Sequence, residues 1–465
     1  MSHNIEIAIN EVIHGSFNLT IKTINQQMKN NLNILTFCFL SFVSILNAQD
    51  VIPISKADVL NRVKEGNQTI KISKEDFNQA RADYRQTNAI FLPSIAVSHT
   101  GISTTNPLMA FGSKLNQELL TANDFNPALL NDPDQTQNFA TRIEVKQPLI
   151  NMDGLYQRKA AKSKMEAMTL QTERTNDYLV FEVNKAYMQL QLAYKAVDVL
   201  KKALQAAESN KKLADNSFKQ GYLQQADVLA VEVRVTEVKN QLQMAKSHVE
   251  NASDYISFLM NDTSNAILKP TDSLTLNNFD LVAVSQVSTE RSDIKAMQLA
   301  SNAYESMNKA DKMTFLPTLN AFGSYELYDD KVFQGDANGY LVGAQLSWTI
   351  LDGTKRFGKS QKSRAAYEKS KLQYEQYLSQ SQLELNKAKR MFMDAENKLQ
   401  LSKLAMEQSH ESLRIRTNRF EEGLEKTSDL LIAETQFAQK QLEYYQTIFE
   451  HNYAQSYLQF LTKAE

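Results

Sequence analysis

The sequence predicts a mixed α/β chain built as an internal two-fold repeat, each half reading helix, strand, strand, long helix, glycine turn, helix. Three observations carry that prediction. Two stretches of like wording, "FKQGYLQQADVLAVE" from Phe218 and "FEEGLEKTSDLLIAE" from Phe420, stand 202 positions apart. Upstream of each, a Leu-Pro at Pro93 or Pro317 opens strand-like segments that are expected to end in an Asp-Gly turn, Asp153-Gly154 or Asp352-Gly353. Between these marks the chain is nearly free of punctuation: 465 residues hold 8 prolines and 13 glycines, clustered in a few places, so the long runs read as helix.

Taken in order, the first element is an export signal. Met28-Lys29-Asn30-Asn31 precedes the apolar run "LNILTFCFLSFVSIL", and the small Ala48 stands before Gln49. The run is too short and wrongly flanked for a spanning helix, although an N-terminal membrane anchor is the alternative. Residues 28–48 are therefore expected to be removed, with 1–27 a doubtful extension and Met28 the expected start. Cys38, the only cysteine, lies inside the signal, so the exported chain is expected to carry neither thiol chemistry nor a disulfide.

The first repeat, 49–270, is expected to hold a helix, strands at about 94–104 and 139–149, a long helix at about 155–217 and a returning helix at about 224–262. The second, 271–465, is expected to hold a helix at about 285–315, strands at about 318–328 and 340–350, a long helix at about 354–419 and a last helix at about 425–460. The first strand pair carries about 25 extra residues, and the stretch between its strands, "NPLMAFGSKLNQELLTANDFNPALLNDPD", reads as an exposed loop with short helical pieces.

The strands alternate. Tyr340, Val342, Ala344, Leu346, Trp348 and Ile350 form one face against Leu341, Gly343, Gln345, Ser347 and Thr349. Phe139, Ile143 and Val145 oppose Arg142, Glu144 and Lys146, and Leu319, Ala321, Tyr325 and Leu327 make a looser stripe. A half-buried soluble sheet would show the same pattern. Strands of about 10 residues also suit a bilayer, but four cannot close a barrel, so in a membrane several copies must share one.

The helices carry coiled-coil-like seams. Val180, Val183, Tyr187, Leu190, Tyr194 and Val197 recur at three and four residues, as do Val228, Val231, Val235, Val238, Leu242, Ala245 and Val249. A helix from Gly154 to the Gly221 turn would be roughly 95 Å long, which a compact bundle has no use for. At the turns, Gly221 and Gly423 are expected to adopt positive φ, and Asp227 and Asp429 to favour the starts of the returning helices through the helix dipole. Phe218 and Phe420 are expected to pack across the turns.

A net charge of −2 gives no broad footprint for nucleic acid. "GTKRFGKS" from Gly353 matches a phosphate-loop pattern, but the alternating strand before it and the unbroken helix after it supply neither a parallel sheet nor an acid for magnesium. The six histidines lack ligand spacing. No catalytic, cofactor or metal residue is expected.

The pattern aromatic-x-x-Gly followed by Asp-(Val/Leu)-Leu, twice, each downstream of Leu-Pro strands and an Asp-Gly pair, resembles the outer-membrane efflux protein family, the TolC-like channels of Gram-negative bacteria. The resemblance spans almost the whole exported chain. It implies a homotrimer in outer-membrane lipid, with a twelve-stranded β-barrel, four strands per chain, continued by a long periplasmic α-helical coiled-coil barrel. It implies an efflux channel that receives small molecules from a periplasmic adaptor (membrane fusion) protein and an inner-membrane transporter of the proton-driven class. A conduit for type I protein secretion, or a non-conducting structural or adhesive trimer, are the alternatives. Carried to this sequence, the adaptor-docking tips are Phe218, Gly221, Tyr222, Leu223, Phe420, Gly423 and Leu424. The tyrosine and arginine of the family's periplasmic lock fall on Phe420 and Glu425, and a second aspartate falls on Ile432, so much of that lock is missing. A closed tip is then expected to be held by other contacts, its mouth made acidic by Glu421, Glu422, Glu425 and Asp429, with Arg416 and Arg419 as candidate partners.

Overall fold

The computed structural model describes residues 51–277 and 286–463. The expected extension and signal, and the first residue of the helix expected from 285, lie outside the described residues. Strand β1 (Val51–Ile54) leads into α1 (Lys56–Gly66) and α2 (Gln68–Gln86). Ser55 and Asp58 form a reciprocal capping box at the start of α1. A 3-10 turn follows, then β2 (Ser94–Thr104), α3 (Pro107–Asn116), a second 3-10 turn, α4 (Pro127–Asn131) and β3 (Thr136–Ile150). The long α5 (Met152–Lys219) returns through α6 (Gln225–Met260) to β4 (Ile267–Pro270). Helix α7 (Ser292–Met313), strands β5 (Thr318–Asp329) and β6 (Ala337–Ser347), and helices α8 (Lys355–Glu421) and α9 (Thr427–Thr462) complete the chain. With 68 and 67 residues, α5 and α8 are each about 100 Å long.

Strands β2, β3, β5 and β6 form one antiparallel sheet in that order. Register places Ser98, Arg142 and Glu326 side by side on one face, followed by Ala96, Glu144 and Ser324, then Ser94, Lys146 and Phe322. The other face carries Ile95, Val97, Ile143, Val145, Leu319, Tyr325, Tyr340, Val342 and Leu346. Val97, Tyr340 and Val342 on it are more than two-thirds exposed, so this chain leaves its apolar sheet face bare. Among the described residues, no helix is long and apolar enough to cross a membrane.

The α5 seam and the Leu242, Ala245 and Val249 end of the α6 seam pack into the main core, where Val183 and Leu190 are wholly inaccessible, and Val238 farther along α6 is inaccessible too. Each such side chain removed from water contributes about 1.5–3 kcal/mol. Helices α5 and α9 lie against each other, α6 lies against α5 and α8 against α9, so α6 and α8 are the outer helices of this curtain. Both outer helices keep apolar side chains exposed along a single face. On α6 these are Leu229, Val233, Met244 and Phe258, and on α8 they are Leu372, Leu383, Leu401, Leu404 and Ile415.

Several local expectations are corrected. Asp153-Gly154 is no turn: Asn151 accepts from Gly154 N at 2.9 Å and caps α5, which starts at Met152. Glycine is required there by close approach, because a Cβ would sit 2.6 Å from Ile90 Cγ2. Gly353, by contrast, does turn the chain, at φ +69. Trp348 and Ile350 lie beyond β6, where the Trp348 indole donates to Phe315 O at 3.0 Å and ties the strand exit to the end of α7. The α7 helix starts at Ser292, after Arg291 has turned inward. The parallel pair β1 and β4 was not foreseen, since four-residue strands containing Pro53 and Pro270 show no alternation.

Candidate functional site

The two glycine turns are built alike. At the first, Gly221 N donates to Phe218 O at 2.9 Å and Tyr222 N to Ser217 O at 2.9 Å. At the second, Gly423 N donates to Phe420 O at 3.0 Å and Leu424 N to Arg419 O at 2.8 Å. Both are helix ends closed by a left-handed residue, Gly221 at φ +82 and Gly423 at φ +72, a conformation in which a side chain is strained. Asp227 and Asp429 stand in the first turns of α6 and α9, and the Asp227 carboxylate accepts from Gln224 N at 3.3 Å.

The tips differ in surface. Tyr222 and Leu424 are exposed at 79% and 68%, Leu223 is half-buried, and Phe218 is 43% exposed while Phe420 is buried. The aromatic pair therefore does not play one role. Phe420 is buried within its tip, whereas Phe218 stands partly open.

The second tip holds a charge cluster that the first lacks. Glu425 accepts from Arg416 Nη1 at 2.7 Å and from Arg419 Nε at 2.8 Å, bridging two arginines of the last α8 turns. Arg419 also donates to Leu424 O at 3.2 Å, and Arg416 lies 3.8 Å from Asp429. The equivalent positions of the first tip are Ala214, Ser217 and Leu223, which cannot form such a clamp. Arg416, Arg419, Glu425 and Asp429 are thus brought together as two cations and two anions. Glu421 and Glu422 are exposed and stand outside the cluster.

The glutamates that end both repeated stretches tie hairpins together. Glu232 pairs with Lys211 at 3.1 Å within the first hairpin. Glu434 reaches from α9 to the Asn210 amide on α5, joining the second hairpin to the first. Burial pushes the Glu434 carboxyl up, against the opposing pull of Arg234 and Asn210. One of its oxygens and Arg234 Nε are buried without a hydrogen-bond partner. The repeat itself flagged this glutamate, whereas nothing local flagged Asn210.

Higher up, where α5, α7, α8 and α9 converge, Asp293 accepts from Arg291 at 2.6 and 2.9 Å and from Tyr377 at 2.6 Å, with Arg174 3.4 Å away. Burial pushes the Asp293 carboxyl up, but these hydrogen bonds and cations outweigh it and hold the carboxyl below its ordinary value. Burial and the bond to Asp293 raise the Tyr377 hydroxyl to about 12. Sequence reasoning missed this network because Arg174 and Tyr377 lie far along the chain from the Arg291 and Asp293 pair.

On the polar sheet face, Arg142 pairs with Glu326 at 3.2 Å and Lys146 with Glu144 at 3.1 Å, above a cavity of about 920 Å³ that Arg85 also lines. The lysine of the phosphate-loop-like stretch, Lys359, pairs with Asp311 at 2.9 Å, beside an antiparallel sheet. Among the described residues, no cluster of histidine, cysteine or carboxylate side chains could hold a metal ion.

Comparison with known proteins gives one family. Residues 59–262 and 283–460 match the model described as "Outer membrane efflux protein". No curated protein sequence matches the chain. Among solved structures, CusC, described for conformational changes accompanying folding and transmembrane channel formation, superposes with a TM-score of 0.76 at 14% identity, covering 88% of this chain and 92% of that one. A membrane protein from Pseudomonas aeruginosa gives 0.76 at 16% identity, covering 88% and 93%. The Campylobacter jejuni CmeC outer membrane channel gives 0.76 at 15% identity, covering 88% and 85%. These likenesses establish a shared fold.

Proposed function

From the premise that the chain belongs to the outer membrane efflux protein family, we propose that it is the outer-membrane channel of a tripartite efflux system, conducting small molecules outward from a periplasmic adaptor and an inner-membrane transporter of the proton-driven class. The protein sits in the outer membrane with a long periplasmic portion, and it is not an enzyme. Three copies close the barrel, twelve strands in all, and their helical hairpins continue it as a tunnel. The two halves of each chain are one duplicated unit.

One observation carries this reading: the chain is unfinished at both edges, along its whole length. β2 and β6 leave unpaired strand edges, and α6 and α8 leave apolar stripes exposed. An unpaired strand edge is untenable in lipid, so the edges call for further copies. With the apolar face of the sheet turned to lipid, Arg142, Glu144, Lys146 and Glu326 line a water-filled lumen.

The channel has no energy source of its own, so its work is steric and electrostatic. Tyr222, Leu223 and Leu424, with Phe218 beside them, offer the adaptor an apolar landing at the periplasmic tips, on turns that Gly221 and Gly423 shape. Phe420, buried, supports the second tip from behind. The clamp of Glu425 on Arg416 and Arg419 holds the second tip in one shape, and an adaptor that prefers another arrangement draws the helices apart by population shift. The test is conductance of the purified protein in planar bilayers, with dependence of solute export on the gene. Conductance with gene-dependent export of small molecules is the expected result. A non-conducting particle would overturn the channel reading, and gene-dependent release of a protein alone would move it to secretion.

A further inference from the structure

The insert between β2 and β3 turns inward. In α3, Ala110 and Ser113, with Gln117 at its end, recur at helical spacing and are buried against the sheet. The Gln117 amide nitrogen lies 2.8 Å from Asn138 Oδ1, 2.9 Å from Gln137 O and 3.0 Å from Asp329 O. Asn138 shares the sheet face of Arg142 and Glu144, the polar one. The helix therefore lies across the polar side of the sheet, at the end away from the long helices.

Its opposite face is apolar and uncovered. Leu108 and Leu115 are exposed at 81% and 55%, and Gly112 stands between them on that face. A Cβ at Gly112 would meet nothing within 4 Å, so nothing within this chain requires glycine there. Glycine in an exposed helix interior weakens the helix relative to alanine, and a close approach by a second helix is a physical reason to keep it. Leu119 follows directly, 51% exposed.

We propose that the α3 helices of three copies meet on the barrel axis and plug its outer mouth, each Leu108, Gly112 and Leu115 face being covered by α3 of the other two copies. This rests on the shared-barrel reading. The occupant follows from placement: α3 begins three residues after β2, an open sheet edge that a second copy must pair in the outer membrane, and it leans to the side that the closed barrel encloses. Lipid cannot reach that side. An apolar constriction of leucines resists wetting and so throttles ions and polar solutes to a low residual conductance until it parts.

The test uses the full-length protein in outer membranes, where Leu115→Cys adds a cysteine to a chain whose only other one is Cys38. Mild oxidation is expected to give a covalent dimer, two of three copies linked, because disulfides form only where Cα atoms come within about 7 Å. Lys331→Cys, in the exposed β5–β6 loop, is expected to stay monomeric. Leu115→Asp is expected to raise single-channel conductance several-fold. A trimeric particle in which Leu115→Cys does not cross-link and Leu115→Asp leaves conductance unchanged overturns the plug and spares the channel. Protection of Leu115→Cys from an impermeant maleimide without cross-linking also overturns it, in favour of an outside partner. A particle of one copy overturns both readings.

Discussion

Replacing Asp293 by alanine removes the one anion shared by Arg291, Arg174 and Tyr377. The Arg291 side chain is 2% exposed and that of Arg174 11%, so the two guanidiniums would face each other in a poorly hydrated junction with no counter-charge between them. Arg291 would keep its bonds to Leu461 O and Ser381 Oγ, and Arg174 its bond to Phe460 O, which limits the damage to charge. Breaking a buried pair by removing one partner costs about 3–5 kcal/mol, and because the Asp293 side chain is itself 14% exposed the lower end applies, about 3 kcal/mol. The assay is urea unfolding followed by the helical circular dichroism signal, with Glu305→Ala, which removes the exposed partner of Lys309, as the surface control. Because the folded Asp293 carboxyl lies below its unfolded value, its contribution is fully present above the ordinary carboxylate range and is lost as pH falls through the folded value. The difference between wild type and variant should therefore shrink in strong acid. A loss below about 1 kcal/mol, no larger than that of an exposed pair, would refute the reading of Asp293 as the buried counter-charge of Arg174 and Arg291.

Three further outcomes follow from the tips and the hairpin contact. Gly423→Val should cost about 1–2 kcal/mol through its left-handed φ, read as faster proteolysis confined to the second tip. The pair Glu425→Ala with Asp429→Ala should open the tip and raise conductance; closed-tip conductance that stays low in the double variant removes the charge clamp from the account. Glu434 has its folded value above its unfolded one, so the folded state holds more protons between the two and loses stability as pH rises across that interval. Glu434→Gln should flatten that part of the profile in a pH series of melting curves, and an unchanged profile would show that another group titrates there.

What the sequence disclosed depended on how far apart the interacting residues lie. The seams of Val183, Leu190, Val235 and Val238 were legible because burial repeats every three or four residues along one helix. Gly221 and Gly423 were legible because a left-handed turn selects glycine whatever surrounds it. Gly154 was misread because close packing against Ile90 selects the same residue for a different reason, and only the fold distinguishes the two. The clamp of Arg416 and Arg419 on Glu425 spans one turn, so its members were named, but which carboxylate they would take was decided by the turn's geometry. Asp293 with Arg174, and Glu434 with Asn210, join residues more than a hundred positions apart, and although the repeat marks Glu434, no local pattern marks either pairing.

The most direct test of the central claim is the protein mass, corrected for bound detergent, of the particle extracted from the outer membrane. Three times the mass of the exported chain is the predicted result, since only a closed sheet survives in lipid and each copy brings four strands. A particle of one copy, or one recovered only from the soluble periplasm, would contradict the shared barrel and with it the channel.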